Sequence, residues 1–312
     1  MTLGNDHEIA ATAAIPTAAD VAAAAARIAP YIRRTPMLMV EFEGRRAALK
    51  LEHLQKSGSF KLRGALNALL AGPRSERVVT ASGGNHGLGL ATAARILGFQ
   101  ATVYVPGNVP RSKAERIEAS GAELVRAGGS YTEAAAAAVQ MAASNGYRYV
   151  PSYDDALVVA GQGTVATEAI ADAPEIDSIV VAVGGAGLAA GCALSSGGRP
   201  IIGVEPDGCC SLHRALEAGR PVDAATDSVA ESALGATRVG AVPFAILSAN
   251  PLRSVLVSDS ALLAARNMLW EQFRLAVEPA ASASAAAWVA GLVEGDLPCL
   301  VLCGANTEWR PD

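Results

Sequence analysis

The sequence predicts an α/β protein of two lobes, each built on a parallel or mostly parallel twisted sheet that helices flank. The 312 residues are 51% hydrophobic and 18% charged, which suits a globular chain of one large or two modest domains. Short β-branched runs alternate with helical stretches of about 10 residues, the pattern of βαβ units. Glycine-rich turns follow several of these runs, where a strand would pass into a helix.

The elements are predicted from these runs in chain order. Apolar or β-branched runs predict strands at 77–81, 101–105, 123–126, 176–183, 201–204 and 297–302. Helical patterns, two of them closed by a glycine, predict helices at 88–97, 112–120, 131–144 and 189–194. The two sets divide the chain into a small domain, 49–150, and a large domain formed by 1–48 and 151–312. We expect a cleft between these domains.

Charge and cysteine content exclude several classes of protein. The net charge is -5 and no basic stripe occurs, so nucleic acid is not expected as a partner. No unbroken apolar run reaches the ~18 residues of a membrane span, and the N-terminus lacks the basic start of a signal peptide. The five cysteines are odd in number and form no C-x-x-C pair, which predicts a reduced, cytoplasmic protein.

Lys61 is the first residue that indicates chemistry, because of its setting in the segment SGSFKLRG at 57–64. A lysine that reacts with an aldehyde must keep part of its amine neutral, and burial or a nearby cation lowers a lysine pKa. The alternative interpretation is a solvated lysine at the start of a helix. If the lysine is the reactive one, Phe60 would pack on the ring side of the bound aldehyde, and Ser59 is predicted to begin the helix.

Two glycine-rich turns and one late segment complete the pattern. The turn at 184–188 follows a buried strand, so its N–H groups and the next helix would suit an anion, although glycine is common at such turns. The turn SGGNHG at 82–87 occupies the same kind of junction, and the alternative is a plain helix cap at Ser82. Cys303 begins the segment CGAN and is otherwise a small buried side chain.

In order and wording, these four segments resemble the pyridoxal 5'-phosphate (PLP) enzymes of the serine/threonine dehydratase family, the tryptophan-synthase-β-like fold type II. The resemblance covers about residues 20 to 308 and is to the threonine dehydratase-like members, here expected without a regulatory domain. It implies that PLP lies in the cleft between the two lobes. It also implies a homodimer that acts on a small amino acid.

The resemblance also assigns the site residues. Lys61 would be the catalytic residue and would bind the cofactor aldehyde. The implied cofactor-binding residues are Phe60, Lys61, Asn85, Gly184, Gly185, Ala186, Gly187, Leu188, Glu278 and Cys303. The implied substrate-binding residues are Ser82, Gly83, Gly84, Asn85 and His86. A thiol beside the cofactor nitrogen would make the ring a milder electron sink than a carboxylate would, which favours prompt loss of a leaving group.

A cation site is implied at Glu205, the main-chain oxygen of Cys209, and Ser211, all of which would bind a metal through oxygen. Because the serine adds no charge, a monovalent and a divalent ion both remain open. The alternative is an acidic turn exposed to solvent.

The reaction implied is α,β-elimination, which converts a threonine- or serine-type β-hydroxy amino acid into a 2-oxo acid and ammonia. Racemase-type relatives have a second serine in the 82–87 turn as a proton donor, whereas this chain has Gly83. Elimination is therefore favoured over racemisation. The alternatives are a racemase or a β-replacement enzyme on the same scaffold, and a PLP-binding protein without turnover.

Overall fold

Two separate sheets form the framework of the computed structural model, which describes residues 14–309. The strands are β1 (Met37–Phe42), β2 (Arg45–Lys50), β3 (Arg77–Ala81), β4 (Gln100–Val105), β5 (Glu123–Arg126), β6 (Arg148–Tyr149), β7 (Ser178–Ala182), β8 (Ile201–Pro206), β9 (Leu252–Val257) and β10 (Pro298–Val301). One sheet has the order β1-β2-β10-β7-β8-β9 and the other β5-β4-β3-β6. Within the described residues, only β1 and β2 pair antiparallel, so the predicted fold class is confirmed.

Helices connect the parallel strands, because a parallel pair needs a crossover that a tight turn cannot supply. They are α1 (Ala18–Ile28), α2 (Lys61–Ala71), α3 (Asn85–Leu97), α4 (Arg111–Ala119), α5 (Tyr131–Asn145), α6 (Ala156–Asp172), α7 (Gly187–Ser195), α8 (Ser211–Ala218), α9 (Glu231–Leu234), α10 (Ala241–Ser248), α11 (Asp259–Phe273) and α12 (Ala283–Val289). Strands β7 and β8 are buried along their whole length, as expected for strands covered on both faces.

Most predicted elements occur within a few residues of their predicted bounds, and β3 and β5 coincide with them. Helix α3 begins at Asn85, three residues before the predicted 88–97, although it contains two glycines that weaken a helix prediction. One of these glycines is required by packing. A Cβ on Gly89 would lie 3.1 Å from the Cβ of Lys61, so the glycine lets α3 approach the start of α2.

The hairpin of β1 and β2 was not predicted. Its turn places Glu43 and Gly44 at φ +52° and +73°, the left-handed backbone that two-residue hairpins use. The segment RRAALK has few β-branched residues, so its strand is decided by pairing with β10. Strand β2 belongs to the six-stranded sheet as far as Lys50. The division of the chain into a small domain, 49–150, and a large domain stays a prediction.

A buried ion network fixes helix α2. The Arg63 guanidinium is fully buried and binds Glu52 through Nη2 at 2.7 Å and Nε at 2.8 Å. The same group binds both carboxylate oxygens of Glu168 at 2.8 Å, and the buried Lys50 ammonium reaches that carboxylate at 2.9 Å. Buried charges are tolerated only when paired and hydrogen-bonded. The network therefore holds α2, whose first residue is Lys61, against β2 and α6.

Candidate active site

The segment before Lys61 is hydrogen-bonded to the end of β10. The Phe60 amide donates to the Cys303 carbonyl at 3.1 Å, and the Ala305 amide donates to the Gly58 carbonyl at 2.9 Å. Ser59 lies between them in an antiparallel bridge with Gly304. These bonds bring the lysine beside the last strand. The prediction that Ser59 begins the helix was wrong, because Ser59 is committed to this bridge and α2 starts at Lys61.

The Lys61 amine lies in the cleft between the two lobes. Its Nζ donates to the Ser152 carbonyl at 2.8 Å and lies 5.2 Å from the centre of the Phe60 ring. Burial lowers the pKa of the Lys61 amine to about 8, while the nearby Cys303 thiol acts in the opposite direction. A substantial fraction of the amine is therefore neutral near neutral pH, which an aldehyde-binding lysine requires.

The 184–188 turn forms the entry to helix α7. Ala186 has φ +69°, a left-handed backbone that is uncommon for a residue with a Cβ and is concentrated at functional sites. The N–H groups from Gly184 to Leu188 have no acceptor among residues 14–309. They meet at the N-terminus of a helix, where the peptide dipoles favour an anion. A Cβ on Gly185 would overlap the ring of Tyr153, which covers this turn.

The 82–87 turn presents N–H groups at the start of α3. The Ser82 amide already donates to the Tyr104 carbonyl at 3.0 Å, and the Gly84 amide donates to the Ser82 hydroxyl at 3.2 Å. The amides of Gly83, Asn85 and His86 have no acceptor in the described part of the chain. Of the five residues predicted to bind the substrate, these three have N–H groups available to donate hydrogen bonds to a bound anion. The Ser82 amide is not available, because β4 uses it.

Asn85 lies at the centre of a cluster of polar side chains that also contains Glu278 and Asn306. Its Nδ2 donates to Oε1 of Glu278 at 2.6 Å, and its Oδ1 accepts from Nδ2 of Asn306 at 2.6 Å. Asn306 also donates to the Ser57 carbonyl at 3.1 Å. Burial raises the pKa of Glu278, and the Asn85 hydrogen bond partly offsets this. The group therefore fixes the Asn85 side chain from both ends.

The Cys303 side chain is buried next to this group. Burial raises the pKa of the Cys303 thiol, and the charge of Glu278 adds to the effect. The side chain is accordingly a neutral thiol, as expected for a weak partner of a ring nitrogen. A Cβ on Gly304 would overlap the Glu278 carboxylate, so glycine is needed directly after the thiol.

A cavity of about 590 Å³ joins these parts. Every residue predicted to bind cofactor or substrate lines it: Phe60, Lys61, Ser82, Gly83, Gly84, Asn85, His86, Gly184, Gly185, Ala186, Gly187, Leu188, Glu278 and Cys303. A larger and more open surface cleft of about 870 Å³ runs past Asp207 and Asp223 and contains none of them. The smaller cavity is the candidate site, because it alone of these two holds the reactive groups.

The predicted cation residues lie outside the cavity. Both carboxylate oxygens of Glu205 accept backbone N–H groups at the start of α8, from Leu212 and His213, at 2.8 Å each. The Ser211 hydroxyl donates to the Gly184 carbonyl at 3.2 Å. Burial raises the pKa of Glu205 to about 7. Its observed contacts are those of a helix-capping carboxylate beside the 184–188 turn.

Four residues in or next to the cavity were missed from sequence. Asn306 binds Asn85, the Ser152 carbonyl binds Lys61, and Lys113 lines the cavity from helix α4. Tyr153 was not among the predicted site residues, yet its ring lies against Gly185 and lines the cavity. The CGAN segment could have indicated Asn306 as a site residue. The other three residues have no such sequence motif, because the residues they contact in the site are distant in the chain.

The residues fit a small phosphorylated aldehyde. The lysine supplies a partly neutral amine, and the five N–H groups of the 184–188 turn supply the donors a phosphate needs. A partly neutral lysine that faces an anion-binding strand-to-helix turn is the arrangement expected of an enzyme that holds a phosphorylated cofactor between two α/β lobes. The fold and the cavity place this chain in that class.

Comparison with known proteins identifies the family. The chain belongs to the family described as pyridoxal-phosphate dependent enzyme, whose model matches residues 28–304. It is 38% identical to an L-threonine dehydratase of Mycobacterium leprae (strain TN) over 94% of this chain and 73% of that protein. It is 31% identical to an L-threo-3-hydroxyaspartate ammonia-lyase of Saccharomyces cerevisiae over 95% of both.

A solved structure supports the same assignment. The crystal structure of a threonine deaminase from T.th. superposes with a TM-score of 0.89 at 36% identity, over 95% of this chain and all of that one. The family resemblance and the fold type inferred from the sequence are thereby confirmed. Among the residues described, no helix is both long and apolar enough to cross a membrane.

Proposed function

We propose that this chain is a PLP-dependent ammonia-lyase that converts a threonine- or serine-type β-hydroxy amino acid into a 2-oxo acid and ammonia. One observation carries the proposal: the Lys61 amine lines the same cavity as two separate sets of N–H groups without an acceptor among residues 14–309. One set, at 184–188, suits a phosphate, and the other, at Gly83, Asn85 and His86, suits a substrate carboxylate. The named relatives support elimination as the reaction.

The chemistry divides between the cofactor and the chain. PLP supplies an electron sink for the charge that develops at the substrate α-carbon. Lys61 would bind the cofactor and, once its amine is free, remove the α-proton, because a pKa of about 8 leaves neutral base available. The Ser152 carbonyl accepts a hydrogen bond from that amine at 2.8 Å and so orients it.

The remaining groups orient the reactants. The pair of Glu278 and Asn306 fixes the Asn85 amide, which would face the cofactor ring hydroxyl. The neutral thiol of Cys303 would lie beside the ring nitrogen without protonating it fully. This partner would leave charge at the substrate α-carbon only mildly stabilised, which would favour loss of the β-hydroxyl over return of a proton.

Gly83 supports elimination over racemisation. The racemase-type relatives would have a serine at this position as a second proton donor, and glycine has no side chain to act as one. A Cβ on Gly83 would lie 2.9 Å from Cγ2 of Val109, so the structure leaves little room for a serine there. With one base, Lys61, the site would remove the α-proton without returning it to the opposite side.

The experiment is a turnover assay of the purified protein with PLP. L-threonine, L-serine and L-threo-3-hydroxyaspartate are supplied in turn, and 2-oxo acid, ammonia and the enantiomer of residual substrate are measured. We expect 2-oxo acid and ammonia in equal amounts from at least one substrate, and none from Lys61→Ala. Racemised substrate without ammonia would replace the lyase by a racemase. A product formed only with an added nucleophile would indicate β-replacement, and bound PLP without turnover would indicate a non-catalytic binder.

Three finer predictions accompany the proposal. We expect a homodimer and a cytoplasmic location, as first inferred from the sequence. We also expect a monovalent or divalent cation near Glu205, the Cys209 carbonyl and Ser211. An ion would relieve the cost of ionising the buried Glu205 carboxylate, so K⁺ or Mg²⁺ should raise the melting temperature at a pH above about 7. A melting temperature that neither ion changes would remove the cation from the proposal.

A further inference from the structure

Lys113 is a basic side chain in the cavity wall whose charge has no partner among the described residues. It is the third residue of α4, is half-buried and lines the cavity that contains Lys61. Its ammonium makes no hydrogen bond or ion pair with any residue from 14 to 309. Other basic residues of the same helix are engaged: Arg111 binds Glu115 at 2.6 Å and Arg116 binds the Thr307 carbonyl at 3.0 Å.

The surroundings of Lys113 suit an anion brought in from outside. It lines a second, narrow pocket together with Gly83, Gly84 and Asn85. The amides of Gly83 and Asn85 have no acceptor among residues 14–309. The acid that lines this pocket is Glu278, whose Oε1 already accepts from Asn85 at 2.6 Å. Burial raises the pKa of Glu278 and the charge of Lys113 acts in the opposite direction, yet the two side chains are not in ion-pair contact. A bound carboxylate could meet the amides and the ammonium together.

Lys113 also supplies a positive charge that is available to a ligand, whereas the other lysine in the cavity, Lys61, is already engaged. The Lys61 amine is held by the Ser152 carbonyl and is used for the cofactor in the proposed function. Another acid that lines the cavity, Glu231, accepts from the Thr226 hydroxyl at 3.1 Å. Lys113 is therefore the basic side chain lining the cavity that neither the proposed chemistry nor a described neighbour uses.

We propose that Lys113 binds a carboxylate of the amino-acid substrate. The inference rests on the proposed function, since it assumes that the cavity receives an amino acid. Two carboxylates have the required chemistry. One is the α-carboxylate that every amino acid carries, and the other is the side-chain carboxylate of an acidic β-hydroxy amino acid of the 3-hydroxyaspartate class.

The test compares two ligands that differ by one carboxylate and have no β-hydroxyl to lose, L-alanine and L-aspartate. Their binding to the PLP-loaded protein is measured by calorimetry for wild type, Lys113→Met and Lys113→Arg. Arg111→Met is the control, because it removes the same charge from the same helix at an exposed position. A charge-assisted hydrogen bond gives an expected loss of about 10- to 100-fold in affinity.

Each result has a defined meaning. Equal weakening of both ligands in Lys113→Met, with recovery in Lys113→Arg, assigns the α-carboxylate. Weakening of L-aspartate alone assigns the side-chain carboxylate and an acidic substrate. Unchanged affinity for both, a loss matched by Arg111→Met, or no binding of either ligand to wild type overturns the proposal. Because neither ligand can undergo elimination of water, this result is separate from the turnover assay, which alone decides the lyase activity.

Discussion

The amide of Phe60 donates to the carbonyl of Cys303 at 3.1 Å, which joins the two ends of the candidate site. Phe60 precedes the reactive lysine and Cys303 follows the last strand, so this hydrogen bond holds the lysine segment beside the segment that carries the thiol. The Ala305 amide repeats the connection on Gly58 at 2.9 Å. The site is therefore assembled across the parallel sheet, at the C-terminal end of β10.

Lys61 gives a prediction about pH. The rate of covalent cofactor attachment to the PLP-free protein should rise with pH through about 8, because the neutral amine reacts and its fraction grows as the ammonium loses its proton. Stopped-flow absorbance of the lysine-bound cofactor measures this rate. Lys61→Arg should show no attachment at any pH. A rate that stays constant across the pKa would contradict the assignment.

Two neighbouring substitutions in the 184–188 turn should differ in their effect on PLP affinity. Gly185→Ala should weaken PLP binding by about 5- to 150-fold, since a displaced Tyr153 ring and a shifted N–H group cost on the order of 1–3 kcal/mol. Ala186→Gly should bind PLP as wild type does, because glycine accepts the φ of +69° without strain. Fluorescence titration with PLP measures both. Equal losses in the two variants would show that the ring contact is unimportant.

Arg63 predicts a large effect on stability. Arg63→Met should lower the free energy of unfolding by about 3–5 kcal/mol, because it leaves Glu52 and Glu168 buried without their common partner. Urea unfolding measures the loss. Arg111→Met, which breaks an exposed pair, should change the value by less than about 1 kcal/mol. A small loss in Arg63→Met would mean that the carboxylates take up protons or Lys50 compensates.

His53 predicts sensitivity to acid. Burial lowers the pKa of His53 to about 4 in the folded chain, against 6.5 for the free side chain. The unfolded chain therefore takes up the proton first as the pH falls. Stability contributed by the neutral ring is complete above about 6.5 and is lost towards 4, by roughly 1.4 kcal/mol per pH unit.

Urea unfolding of His53→Gln across this pH range provides the comparison. The variant should lose less stability than wild type as the pH falls, whatever its stability at neutral pH. His86, whose pKa burial lowers to about 3, keeps its own contribution in both proteins. Parallel pH curves for wild type and variant would refute the role of His53.

The sequence by itself determined the fold class, the cofactor segments and most strands. These features depend on local signals. Runs of β-branched residues specify strands, and glycines mark the turns at 82–87 and 184–188, where backbone N–H groups are available to bind a ligand. The segment around Lys61 is informative for the same reason. Its residues are neighbours in the chain, so their pattern can be read without knowing what lies beside them.

Only the tertiary structure decided which groups meet. Asn85 is held between Glu278 and Asn306, β2 becomes a strand by pairing with β10, and Lys113 reaches the cavity from the small sheet's side. Each contact joins segments far apart in sequence, and its energy depends on burial and on which polar atoms remain unpaired. Neither quantity exists until the two lobes are packed, so no local pattern could specify it.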